Sequence, residues 1–237
     1  MPASDSRCRL AAFATTIFAL PSLILARLAR SSHAPPDPLR WALTLLPVAI
    51  EAVLQAADLG LLGHPLWRGL AYQNGAFWAG LLHNWRPNYP GQPVTMFLSY
   101  AFLHGGLWHL TGNMLCLFVL GGRLMDRLSS RSFFLLYLVS AVGGGLGFGL
   151  LSQNPAPMVG ASGALFGLAG ALIWLEAAER RRFGTPIWPV FGVILGLVVL
   201  NALMWLALAG VLAWETHLGG FVAGAVFCAL WSDPGAH

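Results

Sequence analysis

Apolar residues in this chain come in long uninterrupted blocks, and polar residues gather in the stretches between them. Six blocks, at about 41–62, 95–119, 132–151, 161–178, 187–209 and 213–231, are long enough to cross a bilayer, since a helical crossing needs roughly 20 residues. Alternating segments of ~10 residues, the mark of a membrane β-barrel, are missing, so the blocks read as helices. A seventh apolar stretch, 10–26, follows Arg7 and Arg9, contains Pro21 and precedes Arg27 and Arg30. It reads as an extra span, an interfacial helix or a signal-like segment. It ends without a clear small-residue cleavage site, which argues against removal. The stretch 31–38 carries three prolines and reads as a linker. The expected organisation is an N-terminal hydrophobic segment and linker over 1–40, a transmembrane domain over 41–231 and a short tail over 232–237.

Composition agrees with a lipid solvent. The chain has 237 residues, 57% hydrophobic and 9% charged, with a mean hydropathy of +0.68; soluble domains carry about 25% charged residues. The fold class expected is all-α membrane protein. The net charge is +4 and every basic residue is an arginine. These arginines fall in short clusters between blocks, which is a topological signal and not a nucleic-acid-binding one. Arg27, Arg30 and Arg40 precede the first block, Arg123, Arg127 and Arg131 follow the second, and Arg180, Arg181 and Arg182 follow the fourth. That puts all nine on one side, the cytoplasmic side by the positive-inside tendency. Arg68 and Arg86 lie on the other side, in a long 63–94 connection rich in Trp, Tyr and Phe. Such aromatics favour the headgroup region, so this connection is expected to lie at the outer interface. Cys8, Cys116 and Cys228 have neither metal-ligand spacing nor the pattern of a disulfide framework.

Polar side chains inside the apolar blocks are the chemical signal, because ionisable groups in lipid are costly. Gly160-Ala161-Ser162-Gly163 opens the fourth block, and His217 stands a few residues into the sixth. Serine is a poor nucleophile until a base takes its proton. A serine at a helix start also has free backbone N–H groups beside it that can hold an oxyanion, although it can equally cap its own helix. Gly163, Gly167 and Gly170 follow the serine, while Gly219, Gly220 and Gly224 follow the histidine. Small residues let helices approach closely, which a base needs to come within ~2.6–3.2 Å of a hydroxyl. The same glycines fit plain packing around a hydrogen-bonded histidine. His109 and Asn113 share a helix face and both can donate to an oxyanion. His104 is expected at the outer start of the second block. These three could instead form an interhelical clamp or ligate a haem, but no haem signal accompanies them. Glu51, Gln55 and Asp58 share one face of the first block, as an ion pathway would require. Polar contacts with the 63–94 loop are the preferred account. Gly143, Gly144, Gly145, Gly147 and Gly149 in the third block read as tight packing. With no acidic residue placed to complete a triad, a Ser–His dyad is expected.

These residues resemble the rhomboid family of intramembrane serine proteases. The matching runs are His104-Gly-Gly-Leu-Trp-His109-Leu-Thr-Gly-Asn113, Gly121-Gly122-Arg123 with Asp126 and Arg127, Gly160-Ala161-Ser162-Gly163, and His217-Leu-Gly-Gly220. They cover about 95–231. The resemblance implies a rhomboid-like six-transmembrane-helix bundle, with 10–26 as a candidate extra helix. It implies Ser162 as nucleophile, His217 as general base, and His109, Asn113 and the Ser162 N–H as the oxyanion hole. It implies that His104 ties the outer loop to the core, and that Gly220 and Gly224 bring the sixth helix onto the fourth. Two positions depart from the pattern. Thr95 and Met96 stand where many members carry Trp-Arg, with Trp85-Arg86 further upstream, so loop anchoring is expected to differ. Phe166 stands where many members carry a tyrosine stacked on the catalytic histidine.

The activity expected is cleavage of transmembrane segments of other membrane proteins, without cofactor or metal, at the outer side of a bacterial plasma membrane. The expected partners are transmembrane substrates and the lipid bilayer, not nucleic acid; oligomeric state has no signal in the sequence. A lateral gate is expected at the outer ends of the fifth and sixth blocks, about 205–215. Two other readings compete. One is a non-catalytic rhomboid-like protein that binds membrane segments. The other is a polytopic transporter, for which no inverted repeat is visible.

Overall fold

The computed structural model describes residues 38–231. The 10–26 segment, the linker before Pro38 and the 232–237 tail lie outside the described residues. The helices are α1 (Pro38–Asp58), α2 (Trp67–Gly75), α3 (Gln92–Ser99), α4 (Leu107–Met125), α5 (Ser130–Leu151), α6 (Ser162–Arg182), α7 (Trp188–Ala207) and α8 (Trp214–Leu230). Short 3₁₀ turns occupy Ala79–Leu82 and Tyr100–Phe102. Among the described residues the only β pairing is an isolated antiparallel bridge between Phe77 and Met158. The protein is an all-α membrane bundle. Among the described residues, helices α1, α5, α6 and α7 are long and apolar enough to span, and α4 and α8, with 19 and 17 residues, bring the long helices there to six.

Local chemistry sets the ends. Ser129 caps α5, its hydroxyl accepting from the Ser132 N–H at 3.3 Å. Proline stands in the first turn of α7, where its missing N–H costs nothing. One boundary differs from expectation. The 95–119 block is not a single helix: α3 ends at Ser99, a 3₁₀ turn follows, and α4 begins only at Leu107. Gly106, at φ +120°, makes the break, a backbone conformation open mainly to glycine. Hydropathy missed it because Tyr100, Ala101 and Leu103 are buried in the protein core, and a core turn is as apolar as a lipid-facing helix. His104 therefore lies in the loop before α4 and not in a span. The basic ends hold as a group, with Arg123 in the last turn of α4 and Arg180, Arg181 and Arg182 in that of α6. Arg127 reaches Glu179 at 3.3 Å, joining the α4–α5 turn to the end of α6. Such exposed pairs add little stability, but this one fixes both ends on one side.

Helices α5, α6 and α8 form the tightest part of the bundle. At the α6–α8 crossing backbone meets backbone. A Cβ on Gly220 would fall on the Gly163 carbonyl oxygen, and one on Gly224 on the Gly167 carbonyl oxygen. On the other flank of α8, a Cβ on Gly219 would fall on the Gly143 carbonyl oxygen of α5. Without a hydrophobic driving force between helices in lipid, association depends on this kind of close van der Waals contact. Helix α4 packs on α6, and α1 on α4. Helix α7 is the exception: Val190 is its one buried residue.

Gly224→Ala is expected to lower stability by about 1–3 kcal/mol, because α6 and α8 must separate to admit the methyl group. Gly196 on α7 has open space around it, so Gly196→Ala should change stability by no more than about 1 kcal/mol. Thermal unfolding in detergent checks both.

Candidate active site

The first turn of α6 and the first turn of α8 lie side by side. Ser162 is the first residue of α6, and His217 the fourth of α8. Ser162 Oγ lies 2.9 Å from His217 Nε2 across 55 residues of sequence. The glycine crossing sets this separation, since Gly163 is next to the serine and Gly220 is about one helical turn beyond the histidine. Phe166, one turn after Ser162, stacks flat on the imidazole with centroids 4.1 Å apart and an interplanar angle of 7°. The other ring nitrogen, Nδ1, lies 3.1 Å from Asn201 Oδ1 on α7. His217 is buried at 4% exposure, and Ser162 is half-buried.

The turn before Ser162 is held from two sides. The Gly160 N–H donates to the Tyr100 carbonyl at 3.0 Å, and Met158 pairs with Phe77. Gly160 has φ +122°, and a Cβ there would come within 2.7 Å of His109 Nε2. The His109 ring thus lies against the serine turn. The Gly105 N–H donates to His109 Nδ1 at 3.3 Å, so in the neutral ring the proton sits on Nε2, the nitrogen facing Gly160. Asn113 is buried, and its amide donates to the His109 carbonyl at 2.7 Å. Neither His109 nor Asn113 is hydrogen-bonded to Ser162. His104 is fully buried, its ring edge-on to that of His109 at 5.2 Å.

The outer connection is fastened to this region by one guanidinium. Arg68 of α2 contacts both Glu51 oxygens, at 2.9 and 3.1 Å, and Asp58 at 2.6 Å. It also donates to the His104 carbonyl at 3.2 Å, and the Tyr72 hydroxyl donates to the same carbonyl at 2.6 Å. The bond to Glu51 is the main reason the Arg68 pKa is raised above its ordinary value, against the opposing effect of burial. The backbone of His104, and not its ring, is the tie between loop and bundle. Glu51, 1% exposed, is committed to this pair. Gln55, read with it in the sequence, is outside the network.

Beside the serine–histidine pair, a cavity of about 450 Å³ opens between α7 and the α6–α8 face, lined by Phe166, Leu197, Asn201, Trp205, His217 and Phe221 among others. Its walls are almost entirely apolar. Among the described residues no three His, Cys, Asp or Glu side chains converge as a metal site would require.

A family model described as the rhomboid domain matches residues 91–233, which include His104, His109, Asn113, Ser162, Phe166, Asn201 and His217. The chain belongs to the rhomboid family. It is 36% identical over 146 residues to the mitochondrial Rhomboid protein 1 of Saccharomyces cerevisiae, covering 55% of this chain and 40% of that protein. It is 31% identical over 150 residues to Rhomboid protease GlpG of Yersinia pestis, covering 58% of this chain and 48% of the relative. With Rhomboid protease GluP of Bacillus subtilis the identity is 30% over 139 residues, 59% of this chain and 26% of that one. The match spans less than half the length of each of these relatives.

Two residues of this rhomboid's site escaped the sequence reading. Thr95 and Met96, the positions at which loop anchoring is expected to differ, lie on α3: Thr95 bonds the Tyr89 hydroxyl at 2.7 Å, and Met96 is buried in the core. The anchor is the earlier Arg68. The available signal was a cation opposite Glu51 and Asp58, which share a face of α1. Asn201 was absorbed into an apolar span, although it is the strongest polar residue of that block.

Arg68→Met should leave Glu51 buried without its cation, lowering stability by roughly 3 kcal/mol and opening the 59–92 connection to proteases. Adding Glu51→Leu should restore most of the loss. Thermal unfolding and limited proteolysis of the single and double variants measure the difference.

Proposed function

We propose that this rhomboid is a serine endopeptidase that cuts transmembrane segments of other membrane proteins. The observation that carries the reading is the 2.9 Å contact between Ser162 Oγ and His217 Nε2 at the glycine crossing. His217 takes the hydroxyl proton through Nε2 as the oxygen attacks a peptide carbonyl. The carbonyl carbon becomes tetrahedral and its oxygen negative. The imidazolium then protonates the departing amine, and water attacks the acyl-enzyme by the reverse route. The free N–H groups at the start of α6, the His109 Nε2–H and the Asn113 amide are the donors assigned to the oxyanion. Phe166 holds the plane of the base.

Hydrolysis inside lipid needs water. A polar hollow of about 90 Å³, lined by Ser152, Gln153, Asn154 and Glu215 among others, opens at the head of α8, two residues ahead of His217. This is the water route we assign. The substrate route is the apolar cavity under α7. Helix α7 is nearly unpacked, and the 208–213 turn beyond it holds Ala209 at φ +50° and Gly210 at φ +84°, which agrees with a gate at about 205–215. A substrate helix must unwind to offer its backbone, so preferred cut sites carry small or helix-breaking residues. The catalytic unit is the domain over 41–231. The arginine-rich ends support a cytoplasmic side for themselves, and on this reading the dyad works at the outer face of a bacterial plasma membrane.

A fluorophosphonate should label the wild-type protein and not Ser162→Ala, and Ser162→Ala should fail to cleave a transmembrane substrate that wild type cuts in vesicles. Equal labelling or equal cleavage by the two would refute the assignment. Asn113→Ala should reduce kcat about 10²–10³-fold if its amide donates to the oxyanion.

A further inference from the structure

Helix α7 is the most apolar of the long helices, yet Asn201 stands within it, less than two turns from its end at Ala207. An amide removed from water without a partner costs about 1–3 kcal/mol by protein mutational data. Asn201 has one, His217 Nδ1 at 3.1 Å. Among the described residues this is the side-chain hydrogen bond that α7 makes to another helix.

The requirement runs the other way as well. Neutral imidazole carries one N–H. For Nε2 to accept the Ser162 proton, the hydrogen must sit on Nδ1, and a buried Nδ1–H needs an acceptor. Phe166 fixes the ring plane by stacking, but a stacked ring turned over about its long axis stays stacked. Stacking cannot select which edge faces the serine; an acceptor at Nδ1 can. Asn201 Oδ1 is that acceptor.

We propose that Asn201 is the positioning residue of the dyad: it holds His217 with Nδ1 protonated and Nε2 turned to Ser162, and it does so from the gate helix. The proposal deepens the protease reading above and rests on it. Because α7 is otherwise almost unpacked, the orienting bond exists only while α7 is seated against α8. An outward shift of α7 by an ångström or two removes it, so the base is correctly presented only in the seated arrangement.

The test uses the full chain in phospholipid vesicles with a fluorogenic transmembrane substrate. Asn201→Leu keeps the side-chain volume and removes the acceptor; Asn201→Asp keeps an acceptor. Asn201→Leu should lower kcat about 10–100-fold, the scale on which loss of an orienting partner is felt, with KM within about twofold of wild type. Asn201→Asp should recover most of the rate. In Ser162→Ala protein with ¹⁵N-labelled histidine, NMR should find the His217 proton on Nδ1 and hydrogen-bonded, and Asn201→Leu in that background should abolish the signal. An Asn201→Leu enzyme with wild-type kcat would overturn the proposal. So would a rate loss with the Nδ1 signal intact, which would reduce Asn201 to an interhelical clamp. Fluorophosphonate labelling of wild type keeps the two readings apart. Failure to label removes the protease reading and the positioning role together; labelling with an unaffected Asn201→Leu removes only the latter.

Discussion

The contact of α6 with α8, carbonyl oxygen against α-carbon, is the constraint from which the remaining geometry follows. Gly163 and Gly220 bring the two helix axes together at the level of Ser162 and His217. A side chain at Gly220 would part the helices by more than a hydrogen bond can tolerate, and one at Gly163 would collide with the Thr216 and Tyr100 hydroxyls. The register is as strict as the distance. One residue of slip turns a helix by about 100° and shifts it by 1.5 Å, which would swing the imidazole off the hydroxyl. The second pair, Gly167 and Gly224, one turn deeper, prevents that slip.

Much of this was legible in the sequence, for identifiable reasons. The apolar blocks located the long helices because lipid demands uninterrupted apolar surface. Ser162 and His217 stood out because polar groups are rare in such blocks, and the glycines beside them indicated close packing. The break before α4 was not legible. Residues 100–103 are buried against protein, and hydropathy does not distinguish protein from lipid as the apolar medium. Arg68 was hidden for a different reason. Loop residues have no periodicity, so its pairing with Glu51 and Asp58 exists only once α1 and α2 are in place. Asn201 could be seen as a polar residue in an apolar helix, but its partner lies on another helix and the sequence does not state that α7 and α8 meet there.

The structure divides into parts held by different forces. Helices α5, α6 and α8 interlock through backbone contact and carry the serine and the histidine. The outer connection is held by charge, through Arg68 and two carboxylates. Helix α7 is held by a few contacts with α6 and one amide–imidazole bond to α8. On the protease reading proposed above, this division has a reason: the reacting atoms need fixed positions, whereas an incoming helix needs a wall that yields.

The length of α8 has a consequence of its own. At 17 residues it extends roughly 26 Å, short of a hydrocarbon layer of about 30 Å. Leu218, Val222, Val226 and Leu230 remain uncovered by protein, so lipid tails must meet this short helix directly. Hydrophobic mismatch of this kind is relieved by local thinning of the bilayer. Thinning draws the headgroups, and the water among them, toward the fourth residue of the helix, which is His217. Acyl-chain length thereby becomes a determinant of how wet the imidazole is, set by the surrounding membrane and not by the polypeptide.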